Sequence, residues 1–213
     1  MQSPITARCL GNLAALLIMV FGLTPVSRAE TEMQEFMVPA ADPGIQLYVR
    51  NKHPAGKETF TADRVLIYVH GATYPSEAML DLPVAGASMM DVLAAHGWDV
   101  WLLDVRGYGR STRPPEMDKP AADNKPIVDT ATAARDVGSV VDFIMNRRHV
   151  EKVNLMGWSW GTAIMGLYTT THNATVARLV LYAPQWLDKA SVAPDAPRLG
   201  AHRTVTRDAA RSR

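Results

Sequence analysis

The fold is decided by one stretch, Val153-Asn154-Leu155-Met156-Gly157-Trp158-Ser159-Trp160-Gly161, in which an apolar strand runs into a tight turn. A helical segment is predicted to begin directly afterwards, at Thr162. The pattern Gly-x-Ser-x-Gly between a strand and a helix is typical of a sharp turn that lifts the serine hydroxyl above the carboxyl end of a sheet. A side chain at Gly157 or Gly161 would collide with neighbouring backbone. The stretch therefore predicts Ser159 as a catalytic nucleophile, and the alternative is an incidental serine in a tight connection.

Short apolar runs and amphipathic segments alternate on both sides of this turn. That alternation predicts a mainly parallel α/β sheet with helices on both faces. The predicted strands are Gln34–Pro39, Ile45–Arg50, Val65–Val69, Val100–Leu103, Val153–Met156 and Arg178–Tyr182. The predicted helices are Met89–His96, Thr130–Arg148 and Thr162–Thr170. The polar segment Lys52–Asp63 is predicted to be a loop.

The composition excludes several classes of protein. Of the 213 residues, 47% are hydrophobic and 20% are charged, as in ordinary globular domains. Because 22 Lys and Arg oppose 21 Asp and Glu, no overall field favours nucleic acid. The single cysteine excludes an intramolecular disulfide framework and a cysteine-rich zinc site. We therefore expect a small-molecule substrate, no nucleic-acid partner and no metal or organic cofactor. The oligomeric state stays open.

Residues 1–29 are predicted to be an export signal. Arg8 supplies positive charge, Leu10–Leu23 is largely apolar, and Ser27-Arg28-Ala29 has the small residues of a cleavage site. The apolar run is shorter than the ~20 residues that a bilayer span needs, although an uncleaved membrane anchor is the alternative. The mature chain would begin near Glu30, would be periplasmic or secreted, and would keep no stable membrane anchor.

Two further motifs precede the serine turn. His70-Gly71-Ala72 follows the strand Val65–Val69, and Asp104-Val105-Arg106-Gly107-Tyr108-Gly109-Arg110-Ser111 follows Val100–Leu103. With Gly157–Gly161 they occur in the order and at the intervals of one family. On these motifs the chain resembles the α/β-hydrolase superfamily, in its branch of general hydrolases. The match spans about half of the mature chain and implies that family's sheet.

The resemblance assigns a role to each motif. It implies an oxyanion hole made of two backbone N–H groups, those of Ala72 and Trp160. It implies that His70 has a structural role in its turn and is not the catalytic base. It likewise implies that Asp104 and Arg106 brace loops beside the site and do not form an active pair.

A serine at position 159 restricts the reactions that the resemblance implies. Relatives that open epoxides or break carbon–halogen bonds carry an aspartate where this chain has Ser159, and epoxide-cleaving relatives often have proline where it has Thr73. Both departures favour serine chemistry on an ester, thioester or amide. The turn is also similar to that of proline iminopeptidases, but their Gly-Gly-Pro after the His is absent. An acyltransferase, a cofactor-free haloperoxidase and a non-catalytic binding protein of the same fold stay open.

The resemblance requires an acid and then a His after the serine. Beyond Tyr182 the acids are Asp188, Asp195 and Asp208, and the one His is His202. No buried-strand pattern precedes any of them, and we expect His202 to be solvated. Earlier histidines are predicted to lie at the surface or at helix ends: His53, His96, His149 and His172.

We therefore expect an α/β-hydrolase domain at 30–213 that lacks its last strands, with its core motifs at 65–183. The acid and the His of the triad would then lie outside the chain. A fragment, a true truncation and an altered reading frame are all compatible with this expectation.

Overall fold

The computed structural model describes residues 30–185 and 200–212. The predicted export signal, Asp188 and Asp195 lie outside these residues. Within them, six strands form one sheet: β1 (Thr31–Pro39), β2 (Gln46–Pro54), β3 (Val65–Val69), β4 (Asp99–Leu103), β5 (Val153–Trp158) and β6 (Val176–Tyr182).

The spatial order of the strands is β1-β2-β4-β3-β5-β6. The first two form an antiparallel hairpin, and β2 pairs antiparallel with β4. From β4 onward every pair is parallel, since β3 pairs with β4 and β5, and β5 pairs with β6. All five side chains of β3 and of β4 are buried, as continuous apolar runs in a covered parallel sheet should be. The predicted mixed, mainly parallel sheet is confirmed.

The helices are α1 (Ser76–Leu80), α2 (Met89–Ala95), α3 (Thr130–Arg148), α4 (Trp160–Thr171) and α5 (Arg207–Arg211). The bounds of α3 are those predicted, because its two ends are marked in the sequence. The Asp129 carboxylate accepts from the Thr132 N–H at 2.7 Å, and His149 ends the helix in the left-handed region. No helix within the described ranges combines the length and the apolarity needed to cross a membrane.

Helices cover both faces of the sheet. Alternate residues of β3 point to opposite sides, so Ile67 lies in the core formed with α3 and α4, while Tyr68 lies in the core formed with α1 and α2. Val137 of α3 and Ile164 of α4 are buried in the first core, and Met90 of α2 is buried in the second. This arrangement confirms the predicted helices on both faces.

The structure corrects the prediction for the end of β2. The strand continues to Pro54, where the sequence predicted a loop from Lys52. The polar side chains at the end of β2 favour a loop in the sequence, but the structure buries them against hydrogen-bonding partners. The Asn51 amide, for example, donates to an Asp99 oxygen at 2.8 Å. His53, predicted at the surface, is fully buried with its ring edge against Phe60. His96, His149 and His172 do follow the ends of helices, as predicted.

β6 lies at the edge of the sheet and pairs on one side, with β5, within the described residues. Its last three side chains are Val180, Leu181 and Tyr182, which are 47%, 45% and 60% exposed. Unpaired apolar edges favour association between chains.

We expect the chain to self-associate through this edge. Val180→Lys should reduce the association, because a charge on an exposed strand opposes edge-to-edge pairing. Val205→Lys is the control, since Val205 is also exposed but lies in the segment 200–212. Sedimentation velocity across a range of protein concentrations measures the effect. A wild-type monomer with a sharp, reversible, two-state melt would contradict this expectation.

Candidate active site

Ser159 occupies the junction of β5 and α4 in an unusual backbone conformation. Its φ is +53° and its ψ is −119°, a region that a residue with a side chain rarely enters. Hydrogen bonds hold it there: the Ser159 N–H donates to the Tyr182 carbonyl at 3.1 Å, and the Thr162 N–H donates to the Ser159 carbonyl at 2.9 Å. Strain that the surroundings enforce in this way clusters at functional sites.

The two glycines of the turn are needed because backbone approaches them closely. A Cβ on Gly157 would collide with the Gly161 carbonyl and lie 2.7 Å from the Thr162 nitrogen. A Cβ on Gly161 would lie 2.6 Å from the Val69 oxygen and 2.7 Å from the His70 oxygen. The predicted clash with neighbouring backbone is confirmed at both glycines, and at Gly161 that backbone is the end of β3.

The N-terminus of α4 lies directly after the serine. Trp160 is the first residue of α4, so its N–H belongs to the first helical turn, whose N–H groups have no acceptor within the helix. These groups and the helix dipole favour negative charge near Ser159. Ser159 itself is half-buried. Among the described residues, its hydroxyl makes no hydrogen bond to a histidine or a carboxylate.

The turn after β3 lies against the serine turn. Parallel pairing sets Val69 opposite Gly157, so the two strands end side by side. A Cβ on Gly71 would lie 3.0 Å from the Ser159 Cβ, which shows how closely the two turns approach. Ala72, the next residue, is exposed. The backbone groups of Ala72 and Trp160 thus lie at the same end of the sheet as Ser159, and their role as oxyanion donors stays a prediction.

His70 is fully buried and bonded through both ring nitrogens. The Val105 N–H donates to Nε2 at 3.2 Å, so the proton is on Nδ1, which donates to the Gly71 carbonyl at 2.6 Å. Burial lowers the pKa of His70 to about 4. A neutral imidazole with both nitrogens engaged is not available as a base for Ser159. It braces the turn, as the sequence indicates.

We expect His70 to make the stability of the fold depend on pH. The pKa of about 4 in the folded chain lies below the ordinary 6.5, so the unfolded chain binds the proton more readily. The free energy of unfolding should therefore fall as the pH drops from 6.5 to 4, by roughly 3 kcal/mol. Urea unfolding at pH 7 and pH 4 measures the total loss, to which carboxyls of lowered pKa such as Glu35 also contribute; it should be smaller by roughly 3 kcal/mol in His70→Gln and unchanged in the exposed control His96→Gln. An equal loss in His70→Gln would contradict it.

Asp104 is buried in the turn that follows β4. Its carboxylate accepts from the Ser76 N–H at 2.8 Å and from the Arg110 N–H at 3.3 Å, and its carbonyl accepts from the Ser111 hydroxyl at 2.6 Å. Burial raises the pKa of the Asp104 carboxyl above its usual value. The two N–H groups act in the opposite direction and lower this pKa, because they stabilise the charged carboxylate. Asp104 therefore connects the turn to the start of α1, which is the predicted bracing role.

Arg106 braces a different loop. Its guanidinium contacts the buried Asp136 on α3 at 2.5 Å and Asp42 in the β1–β2 turn at 2.6 Å. Burial disfavours the charged form, but the hydrogen bonds to Asp136 raise the pKa of Arg106 above its usual value. The prediction that Arg106 and Asp104 act as braces is confirmed, through partners that no sequence motif identifies.

His202 departs from the expectation that it is solvated. It is half-buried, and its Nδ1 is buried without a hydrogen-bond partner in the described part of the chain. The segment around it attaches to the body of the domain through the Ala201 N–H, which donates to the Ala121 carbonyl at 2.8 Å. Across residues 30–185 and 200–212, no group of three or more His, Cys, Asp or Glu side chains is placed to hold a metal ion.

Two curated relatives match part of the chain. Lipase member N of Mus musculus and Lipase member N of Homo sapiens are each 28% identical over 131 residues. The match takes in 62% of this chain and 33% of each relative, so the chain spans about a third of their length.

Solved structures share the fold. A CIB-like hydrolase of Thermoplasma acidophilum superposes with a TM-score of 0.53 at 18% identity, over 76% of this chain and 67% of that one. A family model described as the alpha/beta hydrolase fold matches residues 64–206, which include all three sequence motifs. The chain therefore belongs to the α/β-hydrolase family.

Proposed function

We propose that this chain is part of an exported serine hydrolase that cleaves a small ester, thioester or amide. The observation that carries the proposal is the strained backbone of Ser159 at the start of α4. This conformation presents a hydroxyl beside a helix N-terminus, where negative charge is favoured. The apolar run and cleavage pattern in residues 1–29 support export. The partial similarity to lipases supports an ester as the substrate class.

The proposed reaction begins with attack of the Ser159 oxygen on the substrate carbonyl carbon. A base takes the hydroxyl proton as the C–O bond forms, and the carbonyl oxygen becomes an oxyanion. The N–H groups of Ala72 and Trp160 would donate to that oxyanion. The leaving group departs with the proton as the carbonyl re-forms, and water then releases the acyl group from the serine.

No histidine among the described residues, His202 included, is hydrogen-bonded to the Ser159 hydroxyl, and we propose that the base is a histidine outside them, oriented by a carboxylate. His70 has both nitrogens engaged, and Asp104 and Arg106 are bound to partners of their own. In this proposal both groups come from further strands beyond β6, and the chain alone has little activity.

A non-catalytic binding protein of the same fold is the second candidate. It is favoured by the absence of a histidine or carboxylate bonded to the Ser159 hydroxyl in the described residues. A fluorophosphonate probe, which labels activated serines, separates the two when it is applied to the product of the complete gene. Labelling that disappears in Ser159→Ala supports the hydrolase. An unlabelled, folded product supports the binding protein.

A further inference from the structure

Tyr108 belongs to one of the three motifs that form the site and contacts both of the others. It lies in the turn after β4, and its hydroxyl donates to the Ala72 carbonyl at 2.9 Å. Its ring centroid is 4.4 Å from that of His70 and 6.1 Å from that of Trp160. Tyr108 therefore connects the turn after β3 to the first residue of α4.

Two consecutive carbonyls of the turn after β3 are held by these side chains. His70 holds the Gly71 carbonyl through Nδ1–H, and Tyr108 holds the Ala72 carbonyl through its hydroxyl. In a trans peptide the C=O and the N–H point in opposite directions. Since the Gly71 carbonyl is fixed toward His70, the Ala72 N–H of the same peptide is fixed facing away from that ring. The hydrogen bond from the Tyr108 hydroxyl to the Ala72 carbonyl then fixes the next peptide, which joins Ala72 to Thr73.

The turn has few other restraints. Ala72, Thr73 and Tyr74 are all exposed, so packing contributes little to their conformation. An exposed turn samples several conformations unless hydrogen bonds select one. The Tyr108 hydroxyl supplies such a bond from a neighbouring turn.

We propose that Tyr108 is a positioning residue: by holding the peptide that follows Ala72, it restricts the backbone of Ala72 and so keeps the Ala72 N–H, on the preceding peptide, placed to donate to an oxyanion at Ser159. This inference rests on the proposed function. Tyr108 would not touch the substrate's reacting atoms and would act through Ala72. Burial raises the pKa of Tyr108, with the positive charge of Arg203 acting in the opposite sense, so the phenol keeps its proton at neutral pH.

Tyr108→Phe tests the hydroxyl while leaving the ring against His70 and Trp160. Tyr74→Phe is the matched control, because it removes a hydroxyl from an exposed tyrosine of the same turn. Backbone ¹⁵N relaxation of the 213-residue chain should show the order parameters of residues 71–73 falling below about 0.6 in Tyr108→Phe and staying at the wild-type values in Tyr74→Phe. The melting temperature should stay within about 2 °C of the wild type. Unchanged order parameters in this segment would overturn the proposal.

The second readout is the residual hydrolysis of p-nitrophenyl acetate by the same chain. Tyr108→Phe should lower kcat by about tenfold with KM within twofold, since it weakens an interaction made in the transition state. The loss should be the same in the Ser159→Ala background, because the oxyanion donors act there too. A change confined to KM, or an equal loss in Tyr74→Phe, would overturn the proposal. If Ser159 is not the nucleophile, a different result follows: Ser159→Ala would leave the turnover of a longer, active product unchanged. That result would contradict the proposed function and is distinct from the outcomes that test Tyr108.

Discussion

Gly161→Ala is expected to destabilise the fold by about 3 kcal/mol or more, and the protein is expected not to fold at 37 °C. The added Cβ would lie 2.6 Å from the Val69 oxygen and 2.7 Å from the His70 oxygen. Both atoms are backbone at the end of the central strand β3, so relief would require moving the sheet itself. Urea unfolding followed by far-UV circular dichroism measures the loss.

Gly166→Ala is the matched control for this prediction. Gly166 lies in the same helix, and a Cβ there would meet nothing within 4 Å. Because alanine is the better helix former, this change should stabilise the protein by about 0.5–1 kcal/mol. Equal effects of the two substitutions would contradict the close packing of the serine turn against β3.

Ser159→Ala is expected to leave ester hydrolysis by the 213-residue chain almost unchanged. In the proposed function the histidine that takes the proton is not among the described residues, and without it the Ser159 hydroxyl is a weak nucleophile. Loss of a triad member typically costs on the order of a million-fold in rate, and further losses add little. The residual activity, roughly a thousandfold over water, should come from the oxyanion donors and from substrate binding. Initial rates with p-nitrophenyl esters at matched protein concentrations measure it.

The central strands could be predicted because burial on both faces leaves a continuous apolar run in the sequence. Val65–Val69 shows this pattern and forms β3 with the predicted bounds. The end of β2 could not be predicted in this way. Asn51 and His53 are polar, and a sequence does not reveal that Asp99 and Phe60 will cover them.

The predicted start of α4, Thr162, is wrong for a related reason. The helix begins at Trp160 and not at Thr162, because the strained Ser159 can directly precede a helix. Local helix propensity contains no information about a conformation that the glycine packing enforces.

The position of the candidate nucleophile could be predicted because glycine spacing records backbone geometry directly. The side-chain contacts that support the turns around the site could not be predicted from the sequence. Asp136 and Asp42 are distant in sequence from Arg106, and the fold alone brings them together. Tyr108 and Ala72 are likewise 36 residues apart in sequence, and the pairing of β3 with β4 places the hydroxyl beside the carbonyl.

The most direct test of the account is p-nitrophenyl ester hydrolysis by two lengths of the protein, each with Ser159 and with Ser159→Ala. The longer product would carry the strands that the proposed function requires. The account predicts turnover only in the longer product, abolished there by Ser159→Ala, and no effect of the substitution in the 213-residue chain. Robust Ser159-dependent turnover by the 213-residue chain would contradict it, and Asp188 and His202 would then be the residues to substitute next.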